Sequence, residues 1–116
     1  MKFTELGLNS ALLRAIEDEG YTEPTQIQAE AIPVVMAGRD VMAGAQTGTG
    51  KTAAFTLPLL QLLLIHANTS FSPARHPVRA LILVPTRELA VQVEESVRAY
   101  GRHVALRSTT VTRSVA

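Results

Sequence analysis

Val41-Met42-Ala43-Gly44-Ala45-Gln46-Thr47-Gly48-Thr49-Gly50-Lys51-Thr52 passes from a short apolar stretch into a loop of glycine and threonine, and then into a helix-forming pattern. Residues 41–45 read as a buried strand, 46–50 as a loop, and the apolar helical spacing begins at Lys51. Ala45 to Thr52 fits the phosphate-binding loop pattern, with Ala in place of its first Gly. Glycines at those spacings let successive backbone N–H groups turn inward as an anion nest, and the helix that follows points its positive end at the same place. Lys51 then reaches the β- and γ-phosphates, and the Thr52 hydroxyl is placed to ligate Mg²⁺. A plain glycine turn with a solvated lysine is the bland alternative. Two things weigh against it: the strand–loop–helix setting, and the scarcity of lysine, since only Lys2 and Lys51 occur in the chain.

Working outward, Leu12, Leu13 and Ile16 have helical spacing behind Asn9 or Ser10 as N-cap, with Gly20 closing the segment. A second helix starts at Thr25 and directs Ile27, Ala31, Ile32 and Val35 to a core; Gly38-Arg39-Asp40 is a turn. The helix from Lys51 extends to about His66, with Pro58 a kink or an early end. Residues 67–77 form a polar, proline-bearing loop. Residues 79–84 make an apolar run suited to a strand buried on both faces, 87–103 a long helix with Leu89, Val93 and Val97 on one side, and 104–111 a last strand. No repeat or low-complexity stretch is present. This order predicts an α/β fold, a parallel sheet with helical crossovers. Three strands would leave an open edge, so the domain reads as incomplete.

Composition narrows the class. The chain has 116 residues, one small domain or part of a larger one, and 47% apolar content excludes disorder. A net charge of +1 advertises no nucleic-acid or membrane field, although residues 1–58 carry four bases and seven acids, whereas 59–116 carry seven and three. There is no Cys, hence no disulfide framework or thiolate metal site. His66, His76 and His103 have no metal-ligand spacing and read as surface residues. No secretory leader is evident at Met1–Glu5, and the longest apolar run, 57–65, is interrupted and too short to span a bilayer. A cytoplasmic location without membrane attachment is expected.

Gly20-Tyr21-Thr22-Glu23-Pro24-Thr25-Gln26-Ile27-Gln28 admits two readings. The Gln28 amide can donate one bond and accept another, matching the Hoogsteen edge of adenine, with Tyr21 as a stacking face. Thr25 and Gln28 also have the spacing of a capping box, in which Gln28 simply bonds back to the helix start. At Pro85-Thr86-Arg87, Thr86 is either a plain N-cap or part of a phosphate site at a helix N-terminus.

Residues 20–28 resemble the Q motif of DEAD-box RNA helicases, and Phe3 resembles that family's isolated upstream aromatic. Residues 45–52 resemble its motif I, and Pro85-Thr86-Arg87-Glu88-Leu89-Ala90 its motif Ia. The intervening text most resembles the bacterial RhlE branch. The resemblance implies an ATP-dependent RNA helicase and the first part of a RecA-like P-loop NTPase domain, with a Q-motif region at 1–40 and a P-loop and motif Ia region at 41–116. It further implies that Phe3, Tyr21, Gln28 and residues Gln46, Thr47, Gly48, Thr49, Gly50, Lys51 and Thr52 hold ATP with Mg²⁺. Pro85, Thr86 and Arg87 would meet the RNA backbone, with little sequence preference.

The resemblance stops after about Thr110. No Asp follows Asp40, and Glu88, Glu94 and Glu95 lie on or near one predicted helix, not at a strand end where a Walker-B acid must stand. Loss of an arginine finger alone costs on the order of 10³–10⁵ in turnover, so these 116 residues are expected not to hydrolyse ATP or unwind RNA. The rivals are a P-loop kinase or GTPase, a superfamily-two DNA helicase, and a non-catalytic nucleotide-binding or interaction module. A GTPase needs an Asn/Thr-Lys-x-Asp element, which two lysines at 2 and 51 cannot supply. The arginines at 79, 98, 102, 107 and 113 make the second half basic; a solvated helix face accounts for Arg98 and Arg102.

Overall fold

The computed structural model describes residues 1–45, 50–67 and 77–112. Four helices organise them: α1 (Ser10–Asp18), α2 (Gln26–Met36), α3 (Lys51–Leu63) and α4 (Arg87–Tyr100). Single 3₁₀ turns at Phe3–Glu5 and Leu64–His66 precede α1 and extend α3.

The helix starts follow side-chain chemistry. The Asn9 carboxamide accepts from the Ala11 N–H at 2.8 Å, Thr25 Oγ1 from the Gln28 N–H at 3.4 Å, and Thr86 Oγ1 from the Leu89 N–H at 3.1 Å. α1 ends in a Schellman motif. Gly20 has φ +78°, its N–H bonds the Glu17 carbonyl at 2.9 Å, and the Tyr21 N–H bonds the Ile16 carbonyl at 3.1 Å. Pro58 does not end α3, which runs on to Leu63; it is buried in mid-helix. The loss is one N–H bond, and the ring packs against apolar neighbours. α4 stops at Tyr100, three residues earlier than expected, because Gly101 leaves helical geometry.

α3 is central: it packs on α2 and on α4, and α1 packs on α4. Leu12, Ile32 and Leu57 are fully buried and share a cluster with Phe3, Leu6, Leu8, Ile16, Ala53, Leu60 and Tyr100. Burial of a side chain such as Leu57 stabilises the fold by about 1.5–3 kcal/mol.

The three expected strands are not formed: among the described residues no segment pairs in a ladder. Residues 41–45, 79–84 and 104–111 carry no regular structure. A strand exists only through a neighbour about 4.8 Å away that takes up its N–H and C=O groups. Here residues 77–87 and 106–112 both line an open cleft of about 1390 Å³ against α3 and α4. Along 81–84 the period of two survives: Leu81 (77% exposed) and Leu83 (83%) face out, whereas Ile82 and Val84 are half-buried. The covered face belongs to the helices; among the described residues no second layer covers the open face.

The end of α4 grips the end of α1. Arg102 pairs with Glu19 and lies 3.7 Å from Asp18, and its Nε donates to the Ala99 carbonyl at 2.7 Å. His103 Nε2 shares a 2.7 Å hydrogen bond with Asp18 Oδ2. His103 and Arg102 are therefore not merely solvated, as the sequence suggested. The hydrogen bond to His103, aided by the charges of His103, Arg102 and Arg14, holds the Asp18 carboxyl below its ordinary range. A carboxyl depressed in the folded state adds stability above the ordinary carboxylate range, and that contribution is lost as pH falls through it. Thermal melts from about pH 6 down to about pH 3 therefore show a steeper fall in Tm for the wild type than for Asp18→Asn; parallel curves would contradict this pairing.

Candidate nucleotide site

The site is built where α2 and α3 begin. Gly50 is the N-cap of α3, with φ +85° and ψ 26°, a left-handed conformation that suits glycine. Its carbonyl starts the helix by accepting the Ala54 N–H at 3.1 Å. The N–H groups of Lys51, Thr52 and Ala53 in this first turn have no intrahelical acceptor. Exposed Lys51 and half-buried Thr52 are the first two helical residues. Thr56 is fully buried below them and donates its hydroxyl to the Thr52 carbonyl at 2.6 Å, anchoring the turn.

Gln28 reaches this turn from α2 and is 4% exposed. Its Oε1 accepts the Thr25 N–H at 2.9 Å, which completes the capping box, and its Nε2 donates to the Gly50 carbonyl at 3.2 Å. The cap is thus real. It does not exhaust the side chain, because an amide has two N–H groups and an oxygen with two lone pairs. One donor and one acceptor position remain, the pair that an adenine edge requires. Gly50 also has to be glycine: a β-carbon there would run into Gln28 Nε2 and lie 3.1 Å from Thr25 Oγ1.

The remaining expected site residues fall in different places. Gln46, Thr47, Gly48 and Thr49 lie outside the described residues. Phe3 is 5% exposed and packed in the core, so its ring supports the fold and presents no face to a base in this structure. Tyr21 is 40% exposed, with its hydroxyl 3.1 Å from that of Tyr100. Pro85, Thr86 and Arg87 are exposed at the start of α4, and Thr86 caps the helix. Among the described residues no cluster of three or more His, Asp or Glu forms a metal site. Among the described residues there, Thr52 is the Mg²⁺ ligand expected from the sequence. Glu94, on α4, is engaged with Arg98 and with Ser108.

Sequence reasoning missed Tyr100, and no local signal points to it: its partner is 79 residues away. The Gln28–Gly50 contact, across 22 residues, was missed as well, although both residues stand in recognisable motifs.

Gly50→Ala tests the junction. Strain at a positive φ, together with the displaced Gln28 amide, is expected to lower unfolding stability by about 1–3 kcal/mol, measured by denaturant titration. A variant of wild-type stability would mean that Gly50 is not constrained as described.

The chain was compared with known proteins. The family model for DEAD/DEAH box helicases matches residues 25–115. The ATP-dependent RNA helicase SrmB of Escherichia coli (strain K12) is 50% identical over 114 residues, 98% of this chain and 25% of SrmB. The crystal structure of Prp28, an RNA helicase from Chaetomium thermophilum bound to ADP, superposes with a TM-score of 0.75 at 42% identity, over 87% of this chain and 24% of that one. A DEAD box protein from the hyperthermophile Methanococcus jannaschii superposes with a TM-score of 0.74 at 39% identity, over 86% of this chain and 25% of that one. The chain therefore spans about a quarter of the length of the proteins it matches. With the motifs, their order and these matches in agreement, the chain belongs to the DEAD/DEAH box helicase family.

Proposed function

We propose that this chain is the ATP-binding opening segment of an ATP-dependent RNA helicase, and that nucleotide sits where α2 and α3 begin. The observation that carries the reading is the Gln28 amide, bonded at once to the cap of α2 and to the Gly50 carbonyl at the head of α3. A group seated there touches the adenine-reading motif and the phosphate loop together. Bound ATP with Mg²⁺ supplies the phosphoanhydride whose cleavage drives the family's work on RNA.

This chain's residues divide the labour by position. The free N–H groups at the start of α3 and the Lys51 ammonium neutralise phosphate charge, with residues 46–49 closing the loop. The Thr52 hydroxyl ligates Mg²⁺. Gln28 donates and accepts at the adenine edge, and the open part of the Tyr21 ring packs against the base. Thr86 and Arg87, at the start of α4, take the sugar-phosphate backbone of RNA. The acids beyond Pro85, namely Glu88, Glu94 and Glu95, all lie on α4, and residues 1–116 are expected to bind ATP without hydrolysing it. The α/β reading is part of the same proposal. The alternation along 81–84 and the likeness to solved helicase domains support a parallel sheet built from residues 41–45, 79–84 and 104–111. A cytoplasmic site of action fits as well, since no helix among the described residues is long and apolar enough to cross a membrane.

Titration with fluorescent ATP and GTP analogues tests the reading. Lys51→Ala is expected to weaken both about 10- to 100-fold, the worth of a charge-assisted hydrogen bond. Gln28→Ala is expected to erase the preference for ATP. No steady-state hydrolysis is expected with or without RNA. Equal affinity of the wild type for ATP and GTP, or turnover above a no-enzyme blank, would contradict it.

A further inference from the structure

Tyr100 closes α4 and is 5% exposed, its ring held in the core cluster beside Leu57 and Leu60. A ring so enclosed has little rotameric freedom, which gives its hydroxyl a fixed place. That hydroxyl meets Tyr21 at 3.1 Å, with ring centroids 6.2 Å apart and planes tilted by 55°. Burial and the Tyr21 hydroxyl both hold the Tyr100 phenol well above its ordinary range, so it stays protonated and able to donate.

The location makes this pair more than a packing detail. Tyr21 opens the connection between α1 and the Thr25–Gln28 capping box. Its backbone is fixed by the Schellman motif, and the turn before it is gripped by Arg102 and His103. The far end of the connection is fixed by Gln28 on Gly50. Between them Thr22 and Glu23 are exposed. The Tyr21 hydroxyl engages that of Tyr100, and 40% of the Tyr21 surface stays open with that bond made.

We propose that Tyr100 is a positioning residue for the adenine end of the nucleotide site, its hydroxyl setting the orientation in which the Tyr21 ring meets the base. The inference rests on the nucleotide reading given above and assigns a role to a residue outside every motif of that reading. Tyr100 does not touch the nucleotide; it acts through Tyr21.

The test uses the 116-residue chain, fluorescent ATP and GTP analogues, and the variants Tyr100→Phe, Tyr21→Phe, the double variant and Gln28→Ala. Each Tyr→Phe change keeps the ring and deletes one hydroxyl. Each is expected to weaken ATP binding about 2- to 10-fold, the worth of one neutral hydrogen bond. The double variant should be no worse than either single, because the two hydroxyls act as one unit. Wild-type ATP affinity in Tyr100→Phe, with selectivity still lost in Gln28→Ala, would overturn this inference and leave the nucleotide reading standing. So would an equal loss for ATP and GTP accompanied by a lower Tm, the mark of a purely structural role. A wild type that does not discriminate ATP from GTP would overturn the nucleotide reading and this inference with it.

Discussion

At Gly50 the backbone turns left-handed, and its α-carbon comes up against the Gln28 amide with no room for a side chain. The positive φ launches α3 with the N–H groups of its first turn facing outward. The missing β-carbon lets Gln28 reach the Gly50 carbonyl. One side chain therefore completes the capping box of α2 and braces the N-terminus of α3. The two helices that pack most intimately in this chain meet at their heads through that amide. A change in either helix is felt at the place where both a base and its phosphates would be read.

α4 has a different part. Its fourteen residues, about 21 Å at 1.5 Å per residue, join two sites that the sequence treats separately. The N-terminus presents Thr86 and Arg87 to solvent. The C-terminus delivers Tyr100 to Tyr21 and continues into Arg102 and His103, which hold the last turn of α1. The helix that carries the candidate RNA face thus also supports the connection from α1 to the Thr25–Gln28 capping box. That support is made of side chains with their partners 79 to 85 residues away.

Local chemistry explains which parts were legible. Asn9, Thr25 and Thr86 announced the helix starts because a cap is settled within three residues of sequence. The start of α3 at Lys51, directly after Gly50, was legible for the same reason. The strands were not, because an apolar run states only that a segment suits a sheet, and the ladder depends on neighbours the run cannot name. Phe3 was placed among the ATP-binding residues by resemblance alone; its burial in a cluster with Leu6, Leu8 and Leu12 is a three-dimensional fact. Gln28 is the instructive case. The two readings of that residue competed on paper, yet an amide has enough donors and acceptors to satisfy both.

The central claim is that the Gln28–Gly50 junction is where nucleotide is read. The most direct measurement is a ¹⁵N–¹H spectrum of the chain, with the Gln28 side-chain amide pair and the Gly50 backbone amide followed as ATP or GTP is added. The account predicts that both signals shift and saturate together with ATP, and that with GTP the Gln28 pair stays where it was. ATP binding that leaves the Gln28 and Gly50 signals unmoved would contradict it.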